Sequence, residues 1–116
     1  MAFEEDILNA IKAVMPIDAT IQVVPGVGCL NVGVSWKLND DPERPNKMSK
    51  TIAITVSHEA AADFANASAA DKTKAFNRIN LFLKQNLAQF DPSHNAPKYD
   101  PPPTEKWIIN TALVNG

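Results

Sequence analysis

Gly28 to Leu38 reads GCLNVGVSWKL. Leu30, Val32, Val34, Trp36 and Leu38 alternate with Cys29, Asn31, Gly33, Ser35 and Lys37. Successive side chains on a strand point to opposite sides, so this stretch predicts a strand with one oily face and one polar face. A packed layer must cover the oily face. The polar face is built of small side chains.

Working outward, Thr20 to Val24 predicts a partner strand, and Pro25-Gly26 a tight turn, giving a hairpin over 20–38. Lys50 to Ser57 predicts a third strand, with Ile52, Ile54 and Val56 on one side and Thr51, Ala53 and Thr55 on the other. Between them, Asn39 to Ser49 (NDDPERPNKMS) holds two prolines and mostly charged or amide side chains, and reads as a solvated loop. Phe3 to Val14 has the spacing of an amphipathic helix, with Glu4, Glu5 and Asp6 where the helix dipole favours negative charge. After the third strand, Ser57 is a candidate cap for a short helix to about Ala67. Ser68 to Asp71 reads as a break, with Asp71 as a second candidate cap. A longer helix follows over Lys72 to Phe90, with Phe76, Ile79, Leu83, Leu87 and Phe90 on one stripe. Asp91 to Thr104 carries Pro92, Pro97, Pro101, Pro102 and Pro103 and predicts an extended path. Glu105 to Val114 predicts a last strand, apolar on both faces.

The expected fold is therefore α+β: an antiparallel sheet of about four strands with two main helices on one face, in the order α-β-β-β-α-α-β. Residues 1–116 read as a single domain, with no internal repeat. The core is expected around Val34, Trp36, Ile54, Phe76, Ile79 and Leu83. The direction of the last strand is open, because the proline segment is long enough to return the chain either way.

Composition narrows the function classes. A net charge of −2 and a charged fraction of 21% do not call for a polyanionic partner. One cysteine excludes an internal disulfide and a cysteine metal cage. MAFEEDILNA lacks the basic and apolar regions of a secretory signal, and no run approaches the length needed to cross a bilayer. A cytoplasmic location is the expectation, and with it no use of the sequon Asn66-Ala67-Ser68. Cys29, His58, His94, Asp63 and Tyr99 are the residues with catalytic chemistry. They lie on separate elements, and no catalytic set is expected from them. The two histidines are far apart, Glu59 and Asp63 merely share a helix face, and no metal or other cofactor is expected. Gly26-Val27-Gly28 has no following helix or lysine, so it reads as a turn rather than a phosphate loop.

Two binding readings remain. Residues 71–84 set Lys72, Lys74, Arg78 and Lys84 against Asp71, a locally basic helix in an acidic chain. The order α-β-β-β-α resembles that of double-stranded-RNA-binding domains, which meet phosphates with lysines at the start of the last helix. The likeness implies phosphate contacts at those four residues. The first hairpin turn, Pro-Gly-Val-Gly, lacks the basic residues of a second contact region, so nucleic acid is not the expected partner. With its further strand, the order also resembles small acidic secretion chaperones of pathogenic bacteria, which dimerise and bind unfolded effector segments. That likeness implies a chaperone-like dimer for another protein. No residue motif carries either resemblance. The reading the residues favour is a small non-enzymatic binding or assembly module, a homo-oligomer or the holder of a protein partner. Its interface is expected on the small polar face (Asn31, Gly33, Ser35, Ala53, Thr55) and on the outward side of the last strand at Ile108 and Val114.

Overall fold

The computed structural model describes residues 2–26, 29–97 and 99–116. Val27 and Gly28, on which the phosphate-loop reading depends, lie outside the described residues. The chain runs α1 (Ala2–Val14), β1 (Thr20–Gly26), β2 (Cys29–Ser35), β3 (Thr51–Ser57), α2 (His58–Asn66), α3 (Ala69–Gln89), β4 (Thr104–Ile109) and α4 (Thr111–Asn115). The sheet order is β1-β2-β3-β4.

The first three strands form an antiparallel meander in the alternating register expected of them. Ile21 faces Val34, Val23 faces Val32, Val32 faces Ile54 and Val34 faces Ile52. These residues share the face on which the helices pack. Val32, Val34, Ile52, Ile54 and Val56 are buried there with Ile7, Ala10 and Ile11 of α1 and Ala75, Ile79 and Leu83 of α3. Phe76 and Trp36 pack against this core but are only partly buried. Trp36 meets Phe90 edge-on at 5.6 Å between ring centroids, and Phe90 meets Trp107 at 6.0 Å. These edge-to-face contacts close one end of the core.

The hairpin between β2 and β3 continues beyond both strands. Lys37 bridges Met48, and the Leu38 N–H donates to the Lys47 carbonyl at 2.8 Å. The Ser49 N–H donates to the Trp36 carbonyl at 2.7 Å. Part of the expected loop is thus a paired ribbon.

Three expectations need correction. First, β4 runs parallel to β3, pairing Thr51 with Thr104 and Ile54 with Trp107, so the sheet is mixed. A parallel neighbour requires a crossover, and α2, α3 and the proline segment supply it. Second, the last strand ends at Ile109. Asn110 caps a short helix, its side-chain oxygen accepting the Leu113 N–H at 3.0 Å. Val114 therefore sits in α4, buried in the core, and not on an outward strand face. An amide residue before Thr-Ala-Leu-Val is a helix start, and it overrides the apolar run as a strand signal. Third, α3 begins at Ala69 with Ser68 as its cap, the Ser68 hydroxyl accepting the Asp71 N–H at 3.2 Å. Asp71 belongs to the first turn. The cap at Ser57 stands as expected, accepting the Ala60 N–H at 3.1 Å.

Candidate functional site

All four helices contribute to the layer on one face of the sheet, which leaves the other face to Gln22 and Val24 of β1, Asn31, Gly33 and Ser35 of β2, Thr51, Ala53 and Thr55 of β3, and Thr104, Lys106 and Ile108 of β4. Strand register arranges them in rows. One row reads Val24, Asn31, Thr55, Ile108; the next reads Gln22, Gly33, Ala53, Lys106. The centre of the first row is self-satisfied, since the Thr55 hydroxyl donates to Asn31 Oδ1 at 2.9 Å. Its two ends are apolar and uncovered: Val24 is 55% exposed and Ile108 57%. A Cβ placed on Gly33 would meet nothing closer than 4.0 Å, so the glycine there keeps the face flat without a packing need. Lys106 is the one charged side chain this face carries among the described strand residues.

Five of the predicted interface residues, Asn31, Gly33, Ser35, Ala53 and Thr55, thus lie side by side on one surface with Ile108 at its edge. Val114 is on the other side of the sheet. Val24 belongs to the surface and was missed, because Val23-Val24-Pro25 presents apolar residues in succession and the run alone does not say which faces out.

The basic helix is differently engaged. The Arg78 guanidinium donates to the Leu113 carbonyl at 2.8 Å and to the Val114 carbonyl, at the end of α4. Cations suit the unsatisfied carbonyls of a helix end. Lys74 shares a cleft of about 500 Å³ with Arg78, Asp63 and Asp71. Asp63 Oδ2 in turn accepts from the Asn115 side chain at 2.9 Å. The positive charges there are faced by carboxylates. Lys84 is exposed further along α3.

The residues with catalytic chemistry are spread over several parts of the described structure. His58 is exposed at the start of α2, and Cys29 lies opposite Ser57 in the β2–β3 register. His94 serves the loops: its Nδ1 accepts the Ala96 N–H at 3.2 Å, so Nε2 carries the proton and donates to the Met48 carbonyl at 2.8 Å. That contact borders a cleft of about 430 Å³ between the β2–β3 connection and the proline segment, lined also by Arg44, Pro45 and Asp100. Arg44 ties the two loops, donating to Asp41 at 2.9 Å and to the Ala96 carbonyl at 3.1 Å. The Arg44 hydrogen bond, helped by the Glu43 N–H, holds the Asp41 carboxyl below its ordinary value of 3.8. Among the described residues no group of three or more His, Cys, Asp or Glu is placed to hold a metal ion. Among the described residues no helix is long and apolar enough to cross a membrane. No family model, curated protein or solved structure matches this chain.

Proposed function

We propose that this chain is a small binding or assembly module that takes a second copy of itself onto the open face of its sheet. The observation that carries the reading is the row Val24, Asn31, Thr55, Ile108, apolar and exposed at both ends and hydrogen-bonded within its centre. A two-fold axis lying along the strands, between β2 and β3, turns that row back on itself. Val24 of each copy then lies over Ile108 of the other. Gln22 lies over Lys106, and the Gly33–Ala53 centre permits close approach. Depletion of charge at the centre of a surface patch, with apolar residues retained, is the composition of an interface. One self-complementary patch serving both subunits is the commonest route to an oligomer.

Light scattering during gel filtration tests this. Ile108→Asp places a carboxylate against Val24 of the other copy and is expected to lower the solution mass with the circular dichroism unchanged. A wild-type mass of 12.6 kDa at high protein concentration would overturn the proposal.

A further inference from the structure

The two edges of the sheet are built differently. β4, Thr104 to Ile109, carries exposed Glu105 and Lys106 and follows Pro101-Pro102-Pro103. Charges and prolines are the usual means by which an edge strand is kept from pairing with another chain. β1, Thr20 to Gly26, reads TIQVVPG and carries no charge at all. Exposed apolar side chains gather on it and beside it: Val23 is 40% exposed on the helix side, Val24 is exposed on the open side, and Ile17 projects from the turn before the strand. From these observations we infer that β1 is a pairing edge, and that its partner is β1 of a second copy, antiparallel about a two-fold axis through Gln22.

The register follows from one residue. Pro25 lies inside β1, opposite Leu30 of β2, and has no N–H to give to a ladder. Such a proline is accommodated where its nitrogen points away from the neighbouring strand. Backbone direction alternates along a strand, so Ile21 and Val23 also turn their N–H and C=O groups outward. Pairing about Gln22 sets Ile21 opposite the second copy's Val23, and Val23 opposite its Ile21. All four outward N–H groups of the two copies then find outward carbonyls, and Pro25 stays outside the bonded pairs. On the helix side, each exposed Val23 is covered by an Ile21 that already packs against the core. The absence of charge along β1 leaves no like-charge contact between identical strands. A strand of another protein would satisfy the same backbone groups, but nothing on this edge selects one. The second copy brings the matching Ile21–Val23 pairs by symmetry.

This contact is separate from the open face, so it is tested in the Ile108→Asp background, where face packing is removed. In that background the mass is expected at twice 12.6 kDa. Gln22 would meet its own symmetry mate as a non-hydrogen-bonded pair, with Cα atoms about 4.5 Å apart, within disulfide reach. Gln22→Cys, with Cys29→Ser to remove the native thiol, should give a covalent dimer on mild oxidation. Val23→Lys, which sets ammonium groups against the partner edge, should abolish both the dimer mass and the cross-link while the circular dichroism holds. Hydrogen exchange gives a check without mutation: the Ile21 and Val23 amides should exchange more slowly as protein concentration rises. A monomer mass at high concentration in the Ile108→Asp background would overturn the inference whatever the open face does. A dimer mass with no cross-link through Cys at position 22 would overturn it as well.

Discussion

Ser49 has no exposed surface and no place in an apolar core except through its bonds. Its hydroxyl accepts the Trp36 N–H at 3.0 Å and donates to the Lys50 carbonyl at 2.9 Å. A buried donor left without its acceptor loses its solvation and gains nothing in return. Ser49→Ala is therefore expected to lower stability by about 1–3 kcal/mol, read from the urea midpoint at unchanged slope. In the sequence Ser49 is the last residue of a polar loop, and nothing local marks it as buried. Its burial exists because the β2–β3 ribbon runs on past both strands. Asp41, in the same connection, has a different dependence. Its folded carboxyl titrates below the ordinary 3.8, so the proton binds more tightly to the unfolded chain. The contribution to stability is complete above the unfolded value and fades as pH falls through the lower, folded value. A carboxyl-resolved NMR titration should give an Asp41 midpoint below 3.8, and Arg44→Ala should raise it. Because the pair lies at the surface and is only partly buried, its effect on global stability is small.

At the level of the element, α4 changes the meaning of the basic helix. Arg78 spends its guanidinium on the α4 carbonyls of Leu113 and Val114, and Lys74 sits among Asp63 and Asp71. A phosphate arriving there competes with bonds the fold already makes and meets two carboxylates. An anisotropy titration at low salt is expected to show no micromolar binding to duplex RNA or DNA. Binding in that range, lost with Lys74→Glu and Arg78→Glu and falling steeply with salt, would restore the nucleic-acid reading. Arg78 has a structural effect as well. Arg78→Ala should speed amide exchange in α4 while the β2 and β3 amides keep their protection, because local openings are set by the bonds of the segment that opens.

For the molecule as a whole, what could be read from the sequence follows the range of the forces that decide it. The β1–β2–β3 meander, the helix faces and the cap at Ser57 depend on periodicity and on neighbours a few residues away, and these were legible. Five residues of the open face were legible for the same reason, since alternation at Asn31, Gly33 and Ser35 is a local pattern. The parallel sense of β4 was not, because it is set by where a crossover of two helices and a proline segment delivers the chain. Val114 was misplaced because Ile108-Ile109 and Ala112-Leu113-Val114 look like one apolar run until Asn110 is read as a cap. The uncovered β1 edge appears only once the strand order is known.

The parallel pairing of β3 with β4 also orders events in time. The meander joins strands that follow one another directly, whereas β4 meets β3 only after the whole of α2, α3 and the proline segment has been laid down. Closing that long loop costs entropy before any β3–β4 contact returns it, so the meander and its helices are expected to carry the folding transition state and β4 to join afterwards. In a stopped-flow chevron, Ile109→Val should quicken unfolding and leave the folding limb almost where it was, while Ile54→Val should slow folding. The strand that completes this sheet is thus also the first to be released from it.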